Sequence, residues 1–101
     1  MLIYNTTYHV EEEVESNFLI WIKESFIPEV LKQDILKNPR ICKILSHSEP
    51  GHSNFALQWE VDSPKALHQH QMQYGTFAQD EVNKIFKEKV LSFDTLMRVV
   101  E

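Results

Sequence analysis

Residues 2–10, LIYNTTYHV, alternate between two kinds of side chain. Leu2, Tyr4, Thr6, Tyr8 and Val10 fall on one side, and Ile3, Asn5, Thr7 and His9 on the other. Successive side chains of a β-strand point to opposite faces, and the aromatic and β-branched content suits a pleated surface. This stretch therefore predicts a central strand with a greasy face turned to a core. Its more polar face is left to meet water, a ligand or a partner.

The rest of the chain supplies partners for that strand. Glu11–Ser16 is rich in acid, which suits the positive end of a helix dipole. Val14, Phe18, Trp21 and Ile22 follow at helical spacing, widened by Leu19, Ile20 and Ile27. Pro28 lacks a donor and crowds the preceding turn, so the helix is expected to bend or stop near Ser25–Ile27, with a short helical turn from Pro28. Asn38-Pro39 reads as a turn. Arg40–Ser48 reads as a second strand and Asn54–Val61 as a third, joined around Glu49-Pro50-Gly51 as an antiparallel hairpin. Ser63-Pro64 is a helix start, with serine as N-cap and proline at the first helical position. That helix runs to about Tyr74, where Gly75 interrupts it. Thr76 with Gln79 resembles a capping box opening a further segment, Phe77–Glu88. Val90–Val100 reads as the closing strand.

The order is β-α-β-β-α-β. Right-handed crossovers and short connections favour an α+β, ferredoxin-like βαββαβ sandwich with antiparallel sheet order 4-1-3-2 and both helical regions on one face. At 101 residues, residues 1–101 read as one ferredoxin-like domain. The greasier strand faces are expected to turn to the helices, among them Leu91, Phe93, Met97 and Val99 of the last strand. By parity, Asn5, Thr7 and His9 would then share the open face with Gln58 and Glu60 on one side and Asp94 and Arg98 on the other. Asn5, Thr7, His9, Gln58, Glu60, Asp94 and Arg98 are thus the candidate ligand-binding residues. The simplest reading of that face is a solvated or partner-covered surface, with Arg98 pairing Asp94 or Glu60. The sharper one is a pocket in which His9 serves as acid and base. Ile3, Leu96 and Val100 on this otherwise polar side argue for burial against a second copy.

Composition excludes several classes. The net charge of −5 disfavours nucleic acid, which binds through cations that displace phosphate counterions, and equally an anionic membrane surface. No apolar run approaches the ~20 residues that span a bilayer, and no basic leader precedes an apolar stretch, so a cytoplasmic location is expected. The single cysteine, Cys42, allows no internal disulfide and no thiolate cage. It reads as a buried or partly buried structural residue. Of the five histidines, His68 and His70 lie two apart on a helix and point in different directions. His47 and His52 flank the hairpin turn with only Glu49 nearby. No metal site and no cofactor are expected from this pattern, and the two glycines form no phosphate loop. Trp21 and Trp59 read as packing residues.

The stretch WIKESFIPEVL, Trp21–Leu31, with IYN at Ile3–Asn5 and LQWEV at Leu57–Val61, resembles an uncharacterised family of small bacterial proteins catalogued as a domain of unknown function. It is also similar to the dimeric α/β-barrel group, which includes cofactor-independent monooxygenases and isomerases. The resemblance implies two sheets packed face to face in a homodimer around a cavity. Family members often carry histidine just before the IPEV run and another in the second helical region; Phe26 and Val82 occupy those positions here, so no histidine role carries over. The first functional expectation is a non-enzymatic homodimer binding a small organic ligand on the open sheet face. The second is a cofactor-independent monooxygenase- or isomerase-like enzyme, with Asn5 and Gln58 orienting a planar substrate, His9 moving a proton and Arg98 balancing charge. A third, by analogy of fold, is a small-molecule sensing module.

Overall fold

The computed structural model describes residues 1–47, 49–74 and 77–101. Four strands form one antiparallel sheet: β1 (Leu2–Glu11), β2 (Lys37–Ile44), β3 (His52–Val61) and β4 (Val90–Arg98), in the order β2-β3-β1-β4. This is the expected 4-1-3-2 arrangement. Helices α1 (Glu15–Trp21), α2 (Ile27–Leu31), α3 (Pro64–Tyr74) and α4 (Phe77–Phe86) connect the strands and cover one face of the sheet. The ferredoxin-like α+β fold follows.

The core lies between that face and the helices. Tyr8, Val10, Phe55, Leu57, Trp59, Val61 and Val90 come from the strands, and Phe18, Trp21, Ile22, Phe26, Val30, Leu67, Val82 and Phe86 from the helical regions, all buried. Phe18 is the hub of this layer, with its ring 4.9 Å from Tyr8, 5.7 Å from Phe55 and 6.0 Å from Phe86, centroid to centroid. Such tilted and edge-on contacts suit the aromatic quadrupole.

Pro28 does not stop the first helix. Between α1 and α2 the chain makes a π turn over Ile22–Phe26, closed by a bond from the Ile27 N–H to the Ile22 carbonyl. The wider register absorbs the disturbance that proline causes to the preceding turn. Helical direction therefore continues and Phe18, Ile22, Phe26 and Val30 all stay in the core. Asn38-Pro39 is likewise no turn between elements. It sits inside β2 as a bulge, where Lys37 opposes Glu60 and Arg40 opposes Gln58, with Asn38 at φ 51°. Ser63 caps α3 as expected, its Oγ accepting the Ala66 N–H at 3.1 Å. Ser48, Gly75 and Thr76, which bear on the end of the second strand, the helix interruption and the capping box, lie outside the described residues.

The parity of β4 is opposite to that expected. Thr6 opposes Asp94, Tyr8 opposes Ser92 and Val10 opposes Val90 across the β1–β4 ladder. Residues directly opposite share a face, so Val90, Ser92, Asp94, Leu96 and Arg98 lie on the helix side. Leu91, Phe93 and Met97 lie on the open side with Ile3 and are exposed by 58%, 65% and 37%. Fully buried Val90 anchors this register. Assigning the greasier face of the strand to the core misplaces it, because this apolar row points away from the core. Cys42 is also corrected: it opposes Ala56 on the open face and is exposed.

Replacing Phe18 with alanine should cost about 3–5 kcal/mol of unfolding free energy. Leu45→Ala, at a side chain 82% exposed, should change it by no more than about 0.5 kcal/mol. Urea denaturation of the two variants checks both.

Candidate functional site

A cavity of about 220 Å³ opens between the sheet and the helices. Its floor is the helix-facing side of β1, β3 and β4: Tyr4, Thr6, Tyr8, Trp59, Ser92 and Asp94. Its walls come from the helical regions, including Phe26, Val30, His70, Tyr74 and Phe77. An apolar cavity of about 150 Å³ accommodates a benzene ring, so this space suits a molecule of one or two rings. The lining is mainly apolar with a few convergent polar groups, which is the usual composition of a small-molecule site.

Those groups centre on Asp94. The register sets Thr6 directly across from it and Tyr4 two residues along the same face. Tyr4 Oη donates to Asp94 Oδ2 at 2.8 Å and Thr6 Oγ1 donates to Asp94 Oδ1 at 2.9 Å. Each carboxylate oxygen thus holds one fixed donor and retains capacity to accept a second. Burial, followed by the hydrogen bond and charge of Asp94, pushes the Tyr4 phenol above the usual tyrosine range. Burial, with the same charge, does so for Tyr8. Both phenols are neutral donors at neutral pH. Across the cavity, His70 is tied to Gln33, Nδ1 to Oε1 at 2.7 Å, and its ring stacks on Tyr74 with centroids 5.5 Å apart. With Nδ1–H donating to Gln33, Nε2 carries the lone pair. Burial lowers the His70 pKa, which favours a neutral imidazole able to accept a proton.

The residues expected to form one constellation divide between two faces. Asn5, Thr7, His9, Gln58 and Glu60 do share the open face, with Asn5 opposite Gln58 and His9 opposite Asn54. Asn5 is buried there and its Nδ2 donates to Thr7 Oγ1 at 3.0 Å. Asp94 and Arg98 are on the other side of the sheet, and only Asp94 lines the cavity. Arg98 opposes Leu2 at the strand end. Among the described residues no ion pair joins it to Asp94 or Glu60. Asp94 is four strand residues away, about 13 Å, and Glu60 is on the opposite face. Leu96, expected on the open side, opposes Tyr4 on the helix side. Tyr4, Thr6 and His70 were not singled out by sequence reasoning. The available signals were Thr6 interrupting the apolar face of β1, and His70 sharing a helix face with Ala66, Leu67 and Tyr74.

The chain is a ferredoxin-like α+β protein with a small cavity between sheet and helices. Residues 1–100 match the family described as "Domain of unknown function (DUF4286)", and the chain belongs to that family. Among solved structures, it is similar to a protein from Deinococcus radiodurans provisionally named an antibiotic biosynthesis monooxygenase. The two are 23% identical, with 100% of this chain and 94% of that chain covered, at a TM-score of 0.70. It is also similar to a dimeric ferredoxin-like protein from an uncultured marine organism, at 13% identity, 99% and 95% coverage and a TM-score of 0.70. An ethd-family protein from Bacillus halodurans shares 14% identity, with 99% and 100% covered and a TM-score of 0.69. These likenesses establish the fold. No curated protein matches significantly. Among the described residues, no helix is long and apolar enough to cross a membrane.

The shifted groups give stability a pH dependence at both ends. Tyr4 and Tyr8 titrate higher folded than unfolded, so their contribution is complete below about pH 10 and is lost as pH rises beyond it. His70 titrates lower folded than unfolded, so its contribution is complete above about pH 6.5 and is lost as pH falls. Urea midpoints across pH should therefore show a shallower alkaline decline in Tyr4→Phe and a shallower acid decline in His70→Asn than in the parent protein.

Proposed function

We propose that this protein is a homodimer that binds a small, flat, mostly apolar molecule carrying a hydroxyl group, one in each cavity between sheet and helices. The observation that carries the ligand reading is the Asp94 carboxylate. It is held by Tyr4 and Thr6 in the lining of a mainly apolar cavity, where its spare acceptor capacity suits a donor on the ligand. This moves the binding site from the open face to the covered one. The apolar part of the open face, along β4, is assigned to the partner, and the end of the face where β1 meets the turn before β3 is left to solvent. Leu91, Phe93 and Met97 form an exposed apolar row beside Ile3 on the edge strand of the sheet, a surface that invites pairing. A protein similar in fold is described as dimeric.

A second reading keeps the same cavity and adds chemistry: a cofactor-independent, monooxygenase-like enzyme acting on a phenolic substrate. The specific observation in its favour is the pairing of a carboxylate with the imidazole of His70, which burial favours in the neutral form. Either group could accept the substrate's hydroxyl proton. The similar structure named as a monooxygenase gives the class to try first.

Sedimentation equilibrium should show a dimer in the parent protein and a monomer in Phe93→Asp, with the fold intact by circular dichroism. A monomeric parent would refute the assembly. For the cavity, a panel of one- and two-ring phenols and their hydrocarbon counterparts should raise the melting temperature. Asp94→Asn should weaken the phenols by about tenfold, a loss of ~1.4 kcal/mol that suits a hydrogen bond to a charged acceptor, and leave the hydrocarbons unchanged. Equal losses for both sets would remove Asp94 from ligand recognition. Dioxygen uptake with a bound phenol, abolished in Asp94→Asn, would select the enzymatic reading.

A further inference from the structure

On the open face, at the end of β1 far from Tyr4 and Asp94, three potential metal ligands converge. β1 and β3 pair so that His9 opposes Asn54 and Glu11 opposes His52, which makes His9 and His52 diagonal neighbours on one face. Their rings stack with centroids 4.4 Å apart and planes 14° from parallel. The turn before β3 brings Glu49 alongside. The His52 N–H donates to the Glu49 carbonyl at 3.2 Å, and the Glu12 N–H donates to the Gly51 carbonyl at 2.9 Å, tying the turn to the end of β1. One donor atom from each of His9, His52 and Glu49 lies within 4.8 Å of the other two. Glu49 and His52 also border a shallow, solvent-open cleft with Glu12 and Lys43.

We propose that His9, His52 and Glu49 bind one divalent transition-metal ion of the zinc class. Two details of the side chains support this beyond proximity. His9 Nδ1 lies 2.6 Å from Asn54 Oδ1. A carboxamide oxygen only accepts, so Nδ1 carries the proton and Nε2 presents its lone pair. Ligating histidines are oriented in this way by a hydrogen bond at the other ring nitrogen. His52 Nδ1 is buried and has no hydrogen-bond partner among the described residues, a polar atom that an ion or its water would satisfy. Two imidazoles and a carboxylate select zinc, cobalt, nickel or copper over magnesium or calcium, which take oxygen ligands. Donors around a tetrahedral zinc with bonds of about 2.0–2.1 Å stand about 3.3 Å apart, so the three groups close on an ion by rotating side chains, the His52 ring turning out of its stack on His9 while Asn54 holds His9. The fourth position is left to water. The site is on the opposite side of the sheet from the cavity and does not depend on what that cavity binds.

Cobalt(II) titrated into the chelator-treated full chain tests this. One equivalent per chain should bind, with the visible absorption of a four- or five-coordinate ion, and zinc should displace it. His9→Ala and His52→Ala should each abolish that absorption, and Asn54→Ala should weaken binding by about 10–100-fold through loss of the orienting bond. His47→Ala and His68→Ala should leave it unchanged. Zinc added to the parent protein should also shift the imidazole proton signals of His9 and His52 but not those of His68, a readout that requires no variant to fold. Absence of a bound equivalent in the parent, or undiminished binding in His9→Ala and His52→Ala, would overturn the site.

Discussion

The antiparallel pairing of β1 with both neighbours is the constraint on which the rest depends. β1 lies between β3 and β4, and its ten residues set the parity of the strands on either side. Once Tyr8 faces the helices, Phe55 and Ser92 must face them too, because both oppose it. The same ladder fixes Thr6 opposite Asp94 and His9 opposite Asn54. An unbulged strand such as β1 places neighbours on alternate faces, so the cavity and the histidine cluster come from one register read on its two sides.

Most of the architecture was legible in the sequence because it rests on local rules. The alternation of Leu2–Val10 and Asn54–Val61, the N-cap at Ser63 and the apolar spacing from Val14 to Ile22 each point to one kind of element. Their order then selects the fold. What escaped was non-local. The face of β4 depends on its pairing with β1, and both of its faces carry apolar residues: Val90 and Leu96 on one, Leu91, Phe93 and Met97 on the other. Hydrophobicity alone cannot choose between a core and a partner as the destination of such a row. Around Pro28 a bend or stop followed by a short helical turn was legible, and what the sequence left open was the form of the disturbance. Burial of Phe26 and Val30 favours a continuing helix, and a π turn satisfies that demand.

The candidate site was legible only in fragments. Asn5, Thr7, His9, Gln58 and Glu60 do share one face, since β1 and β3 follow the simple rule that greasy faces turn inward, but the cavity is on the other. Asp94 was singled out but set on the wrong side, and with it went the chance to see Tyr4 and Thr6 as its donors. Tyr4 looks like core from its neighbours in sequence, and only its distance to Asp94 shows it to be a polar group in an apolar wall. His52 was weighed against His47 across the turn, whereas the sheet sets it diagonally beside His9, 43 residues earlier in the chain.

Because β1 serves both sides of the sheet, the two surfaces differ in how they can change over evolutionary time. A substitution at Tyr4, Thr6 or Tyr8 alters the cavity side, and one at an odd-numbered position alters the open face, so the chemistry of the two surfaces can drift separately. An inserted or deleted residue within the strand has no such freedom. A slip of one residue turns every side chain to the other face, carrying Asn5 and His9 into the core and Tyr4 and Tyr8 out of it. The length of this strand is therefore held more tightly than the identity of any one residue on its open face.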